Sequence, residues 1–168
     1  FMGSVIPRPI ALVTSMSAGG SVNAAPFSNF MVVSSAAGVL AFACAYQKED
    51  LAEKDTLVNI RARGEFVVNT VPISLVRQVQ HCAETFPPEV SEVEIAGLNL
   101  LPSVHVATPR IAESGVQFEC RLDNMQRYGE TQLIFGKVQC LHVREALFDD
   151  YRIRLAPYAP AGRLGGRV

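Results

Sequence analysis

Two short segments carry the residue types that bind small molecules. In Asn23-Ala24-Ala25-Pro26-Phe27-Ser28 an amide and a hydroxyl flank small residues and a proline. Small side chains let a flat ligand lie close to the backbone, and Asn23 and Ser28 offer hydrogen bonds to its edge. The same composition also suits an ordinary turn leading into a strand. In Lys54-Asp55-Thr56 an ammonium and a hydroxyl stand where a helix starts. Free N–H groups and the positive end of the helix dipole hold phosphate at such a place, and Lys54 and Thr56 would add contacts. The competing reading is a capped, solvated helix start, because Asp55 would occupy some of the donors that a phosphate needs.

Other familiar chemistry is missing. There is no GxGxxG and no P-loop, so neither common phosphate-cradling loop is present. No serine sits in a GxSxG elbow. His81, His105 and His142 stand far apart and read as satisfied or solvated. Cys44, Cys82, Cys120 and Cys140 form no CxxC pair, and each sits among apolar residues, so they read as small buried hydrophobes. No catalytic side chain and no metal-ligand set are expected.

Composition narrows the classes further. The 15 Lys+Arg against 16 Asp+Glu give a formal charge of −1, which leaves no basic surplus for a phosphate backbone and argues against nucleic acid as a partner. With 49% hydrophobic and 18% charged residues, the chain is no disordered acidic or basic tail. The low charge and a mean hydropathy of +0.20 suggest that a second copy covers part of the surface. No stretch approaches the ~20 apolar residues of a membrane span, and a cytoplasmic location is the default. The chain begins at Phe1 rather than Met, so preceding sequence is expected. Its 168 residues fit one domain, 1–168.

The elements that must position the two segments are mainly strands. Ile10 to Ser15 is an almost continuous apolar run, expected to be buried on both faces, and Ser17 to Ser21 is a turn by composition. Extended stretches follow at about 22–34 and from Val39 to Tyr46, before a polar turn at Gln47-Lys48-Glu49-Asp50. Asp55 is a plausible N-cap and Gly64 the stop of a short helix. Phe66 to Val71 returns to strand. A second helix spans about 74–85, with Leu75, Val79 and Cys82 on its buried face, widened by Val76 and Ala83. A loop rich in Pro and Glu covers about 87–114. Val116, Phe118, Cys120 and Leu122 alternate with polar residues, the pattern of a half-buried antiparallel strand. Within 131–144 the apolar register changes at Gly136, where a β-bulge would bend the strand. Six strands and two short helices, without βαβ alternation, indicate a mostly antiparallel closed sheet with helices outside it.

The succession of motifs resembles the flavin reductase-like, FMN-binding split-barrel family. It runs Pro7-Arg8-Pro9-Ile10, Thr14-Ser15, Asn23 to Ser28, Lys54-Asp55-Thr56 and Asn59. It continues through Glu92-Val93-Glu94, Ala96-Gly97-Leu98, Pro109 to Ser114, Phe118-Glu119-Cys120 and Arg163-Leu164-Gly165-Gly166. The likeness implies a mainly β fold, a six-stranded antiparallel split β-barrel with short flanking helices. It also implies a homodimer, with one FMN per subunit near the interface. Cofactor-binding positions carried over are Arg8, Thr14, Ser15, Asn23, Ala24, Ala25, Pro26, Ser28, Lys54, Asp55 and Thr56, with the Lys-Asp-Thr segment near the phosphate. One departure is Asn29, which follows Ser28 where the family has an aromatic residue. The resemblance implies hydride transfer from NAD(P)H to flavin, with a redox partner protein as one destination of the reduced flavin. An FMN electron carrier without its own NAD(P)H site, or a barrel without flavin, are the alternatives.

Overall fold

The computed structural model describes residues 2–45, 53–87 and 90–165. Its strands are β1 (Arg8–Pro9), β2 (Ala11–Met16), β3 (Val22–Phe27), β4 (Phe30–Ser34), β5 (Val39–Ala45), β6 (Glu65–Thr70), β7 (Leu100–Leu101), β8 (Arg110–Ile111), β9 (Val116–Tyr128), β10 (Thr131–Val143), β11 (Phe148–Asp149), β12 (Arg152–Ile153) and β13 (Gly162–Arg163). The helices are α1 (Asp55–Arg63), α2 (Val76–His81), α3 (Glu92–Ile95) and α4 (Leu155–Tyr158). Seven strands form one antiparallel sheet in the order β3-β2-β6-β9-β10-β5-β4, and the short strands pair as β1-β13, β7-β8 and β11-β12. Among the described residues no helix is long and apolar enough to cross a membrane.

The mainly β, antiparallel architecture is the expected one, but the strand count differs. The stretch 22–34 is two strands, broken at Ser28-Asn29, and the two halves lie at opposite edges of the sheet. Side-chain bonding fixes the break. Arg8 donates to Asn29 Oδ1 at 3.0 Å, and the Asn29 carbonyl accepts from the Ala43 amide at 2.9 Å. The sheet therefore has seven strands rather than six. Among the described residues its hydrogen bonding does not close between β3 and β4, although the chain itself joins those edges. The polar turn at 47–50 and the end of the strand at Tyr46 lie outside the described residues.

Burial follows the sheet's two faces. Ala11 to Ser15 of β2 are all fully buried, as an apolar run with no alternation requires. Ala11 and Val13 face a core with Phe27, Phe42, Phe66, Cys120 and Ile134. Phe42 is its hinge, with ring centroids 4.8 Å from Phe27 and 5.5 Å from Phe66. Leu12 and Ala24 face the other way, into a second cluster with Leu75, Val79, Cys82, Val93 and Ile111. The predicted bulge is present: the β9–β10 register shifts between Phe135 and Gly136. A Cβ on Gly136 would stand 2.4 Å from Phe66 Cζ and 3.1 Å from Cys120 Cβ, so glycine is what lets Phe66 fill the core.

The outer face of β9 departs from the half-buried expectation. Gln117 and Glu119 are buried, because the loop around 103–111 lies over them. Two carboxylates fasten that loop. Glu65 accepts from the Ala107 and Thr108 amides at 2.8 and 2.9 Å, and Glu119 accepts from those of Val104 and His105 at 2.8 and 2.6 Å. Burial works against ionisation of Glu119, but these bonds and one from His142 outweigh it and hold its pKa below the usual range. A buried charge whose two oxygens are both hydrogen-bonded is tolerated where an unpaired one is not.

Candidate functional site

α1 is docked by both packing and polar ties. Leu57 and Ile60 enter the core, Asn59 donates to Ser15 Oγ at 3.2 Å, and Arg63 donates to the Ser17 carbonyl at 2.9 and 2.8 Å. Gly64, at φ 67°, ends the helix as the sequence indicates. Its start differs from expectation. Lys54 is the N-cap, Asp55 is the first helical residue, and the Lys54 side chain makes no capping bond. The Leu57 and Val58 amides donate to the Lys54 carbonyl at 2.8 and 3.2 Å, and among the described residues those of Asp55 and Thr56 have no partner. The objection that Asp55 consumes them does not apply.

This helix start opens onto a groove of about 650 Å³, within the size range of small-molecule sites. Asn23, Ala25, Pro26 and Ser28 line one wall, and Lys54, Asp55 and Thr56 line its end. Two segments some thirty residues apart are therefore brought together. The opposite wall comes from Val76, Val79 and Phe86, and from Gly162, Arg163 and Gly165 near the C-terminus. β1 pairs with β13 in register Arg8↔Arg163, which carries that segment to the groove. Periodicity assigned α2 only to packing, and its helical part, Val76–His81, is shorter than the expected 74–85. Leu75, Val79 and Cys82 are buried as expected, whereas Val76 and Ala83 are exposed along the groove. The signal for the C-terminal segment was the motif Arg163-Leu164-Gly165, although Gly166 lies outside the described residues.

Four expected positions stand behind the wall rather than in it. Thr14 is buried; its hydroxyl donates to the Pro109 carbonyl at 2.8 Å and accepts from Asn69 at 3.2 Å. Ser15 ties β2 to α1 through Asn59. Ala24 turns its side chain into the second cluster while its amide donates to Glu92 Oε2 at 3.3 Å. Arg8 holds Asn29.

Asn23 is the junction of the floor. With its amide oxygen accepting from Thr56 Oγ1 at 3.0 Å, its nitrogen donates to Glu92 Oε1 at 2.9 Å. That orientation satisfies every partner. Glu92 belongs to the acidic motif of the sequence, but its place in the floor comes only from the docking of α3 against β3. Desolvation, reinforced by the nearby Asp55 charge, raises the Glu92 carboxyl, and burial likewise raises Asp55. The thiols of Cys44, Cys82 and Cys120 are pushed up by burial to about 11, 12 and 12, the behaviour of inert packing residues.

Comparison with known proteins gives one consistent family. The model described as "Flavin reductase like domain" matches residues 2–158. Nitrilotriacetate monooxygenase component B from Bacillus cereus superposes with a TM-score of 0.92 at 32% identity, covering 98% of this chain and 84% of that one. The 2-nitrobenzoate 2-nitroreductase NbaA of Pseudomonas fluorescens gives a TM-score of 0.88 at 36% identity, covering 98% and 80%. A split-barrel-domain protein of Shewanella frigidimarina shares the fold with a TM-score of 0.83 at 18% identity, covering 96% and 80%.

Proposed function

The chain belongs to the flavin reductase-like domain family, and from that premise we propose that it is a single flavin-binding domain of the split-barrel type. In this reading it holds FMN in the groove and passes hydride from NAD(P)H to it. The family and the similar structures support a flavin oxidoreductase at the coarser level. One observation carries the finer reading: the uncapped start of α1, with Lys54 and Thr56, stands at the end of the groove walled by Asn23, Ala25, Pro26 and Ser28.

The residues fit such a ligand. Ala25 and Pro26 offer a flat, shallow wall for a planar ring, and Asn23 and Ser28 offer polar atoms for its edge. Lys54 and the first amides of α1 suit a phosphate, with the Thr56 hydroxyl spent on the Asn23 amide oxygen beside them. Arg8, Thr14, Ser15 and Ala24 serve the site by fixing β2, β3 and the turn at Ser28. When bound, FMN supplies the hydride-accepting chemistry, which explains why no acid–base pair is needed. The chain's task is to orient the ring and leave one face open to the donor. The likeness to a monooxygenase component B favours delivery of reduced flavin to a partner enzyme.

The test is anaerobic titration of the FMN-loaded protein with NADH and NADPH. Loss of the visible flavin absorption with at least one of them is expected. Retention of FMN with no bleaching by either would leave an electron carrier instead, and failure to bind FMN at all would remove the flavin reading.

A further inference from the structure

Away from the groove, the β9–β10 ladder assembles a second cluster of ligand-type side chains. Cys140 and His142 are two apart on β10 and so share a face. The register, reset by the irregularity between Val138 and Cys140, sets Cys140 directly opposite Glu119. Such cross-strand partners have Cβ atoms roughly 4.5–5.5 Å apart. The donor atoms of Glu119, Cys140 and His142 all lie within 4.8 Å of one another. Among the described residues this is the one group of three or more His, Cys, Asp or Glu side chains so arranged.

Fastening the loop does not account for the cluster. Glu65 holds its share of the loop with backbone amides, Thr108 and Arg121, using neither histidine nor thiol. Glu119 does the same work through Val104 and His105, yet it also meets His142 Nε2 at 2.6 Å. Cys140 beside that pair is left without a structural task. Unlike the other three cysteines it is not buried, and the His142 side chain is 19% exposed, so the cluster is reachable from outside.

We propose that Glu119, Cys140 and His142 bind one divalent cation of the zinc class, with the fourth position open to solvent. A thiolate, an imidazole and a carboxylate together select zinc over magnesium or calcium, which prefer oxygen alone. The amides of Val104 and His105 orient the carboxylate from behind, as outer partners do at metal sites. On binding, the cation takes the place of the hydrogen between Glu119 and His142 Nε2, the neutral imidazole then carrying its one proton on Nδ1, and the Cys140 thiol gives its proton to solvent. The site touches no residue of the groove.

The experiment equilibrates the flavin-loaded protein with zinc chloride, removes excess metal by gel filtration and counts zinc per chain by mass spectrometry. Wild type should retain one zinc per chain. Cys140→Ser and His142→Ala should fall at least tenfold, while His81→Ala, altered on an exposed helix, should match wild type. As a readout that needs no variant to fold, zinc should slow alkylation of Cys140 at least tenfold in the wild-type protein, mapped by peptide mass spectrometry. The proposal is overturned if wild type keeps no zinc, if a folded Cys140→Ser keeps as much as wild type, or if zinc leaves Cys140 alkylation unchanged.

Discussion

Lys54 is the side chain whose removal separates phosphate recognition from ring recognition. A hydrogen bond to a charged group is worth about 1.5–3 kcal/mol net, so Lys54→Ala should weaken FMN roughly ten- to hundredfold. Riboflavin lacks the phosphate and should be nearly indifferent. Fluorescence titration of both flavins against this variant decides the matter. Equal losses for the two ligands would place the phosphate elsewhere. Glu92 bears on stability instead. Desolvation, with the Asp55 charge behind it, outweighs the bonds from the backbone amides of Glu92 itself and of Ala24, so its carboxyl keeps its proton to higher pH folded than unfolded. The folded chain then binds more protons, and stability falls as pH rises from the ordinary carboxylate range through the higher folded value. Glu92→Gln should flatten that fall above the ordinary carboxylate range, measured as urea midpoints at increasing pH. A variant whose midpoints track wild type throughout would remove Glu92 as the cause.

At the scale of elements, the bulge on β10 is the feature on which the core most depends. Gly136→Ala would press a methyl group into Phe66 and Cys120, both fully enclosed. Overpacking of this kind costs roughly 1–3 kcal/mol, to be read as a lowered urea midpoint with an unchanged slope. An unaltered midpoint would mean that Phe66 relaxes freely. This element was legible in the sequence because the apolar register of 131–144 changes at that glycine. β2 was legible for a similar reason, since a strand buried on both faces needs no alternation. The break at Ser28-Asn29 was not, because it depends on Arg8 and Ala43 reaching Asn29 from elsewhere in the chain. Nor was the covering of Gln117 and Glu119, whose polar side chains read as solvent-facing until the loop amides that satisfy them are in place. The candidate site divides along the same line. The wall and the helix start are local segments with telling composition. The far wall is built by α2 and the C-terminal strand, whose positions are set by tertiary packing and by the β1–β13 pairing.

The molecule as a whole leaves one flank poorly explained by a single chain. β4 is an edge strand of the large sheet, and Met31, Val32 and Val33 on it are 58%, 60% and 43% exposed. Edge strands that stay alone normally carry charge or proline to prevent pairing, and Phe30–Ser34 carries neither. Met31 and Val33 stand on one face of the strand and Val32 on the other, so the edge exposes large apolar side chains on both sides. Together with the low charge of the chain, this supports a homodimer that covers the β4 flank. Sedimentation equilibrium at micromolar concentration should therefore return twice the chain mass of 18.2 kDa. Val32→Lys places an ammonium in the middle of the strand and should shift the protein to monomer. Its fold should survive, because a side chain so exposed contributes little to the core of its own chain. Circular dichroism on the same samples separates loss of assembly from loss of structure. A wild-type monomer would refute the dimer, and a Val32→Lys variant that stays dimeric would move the interface to another face.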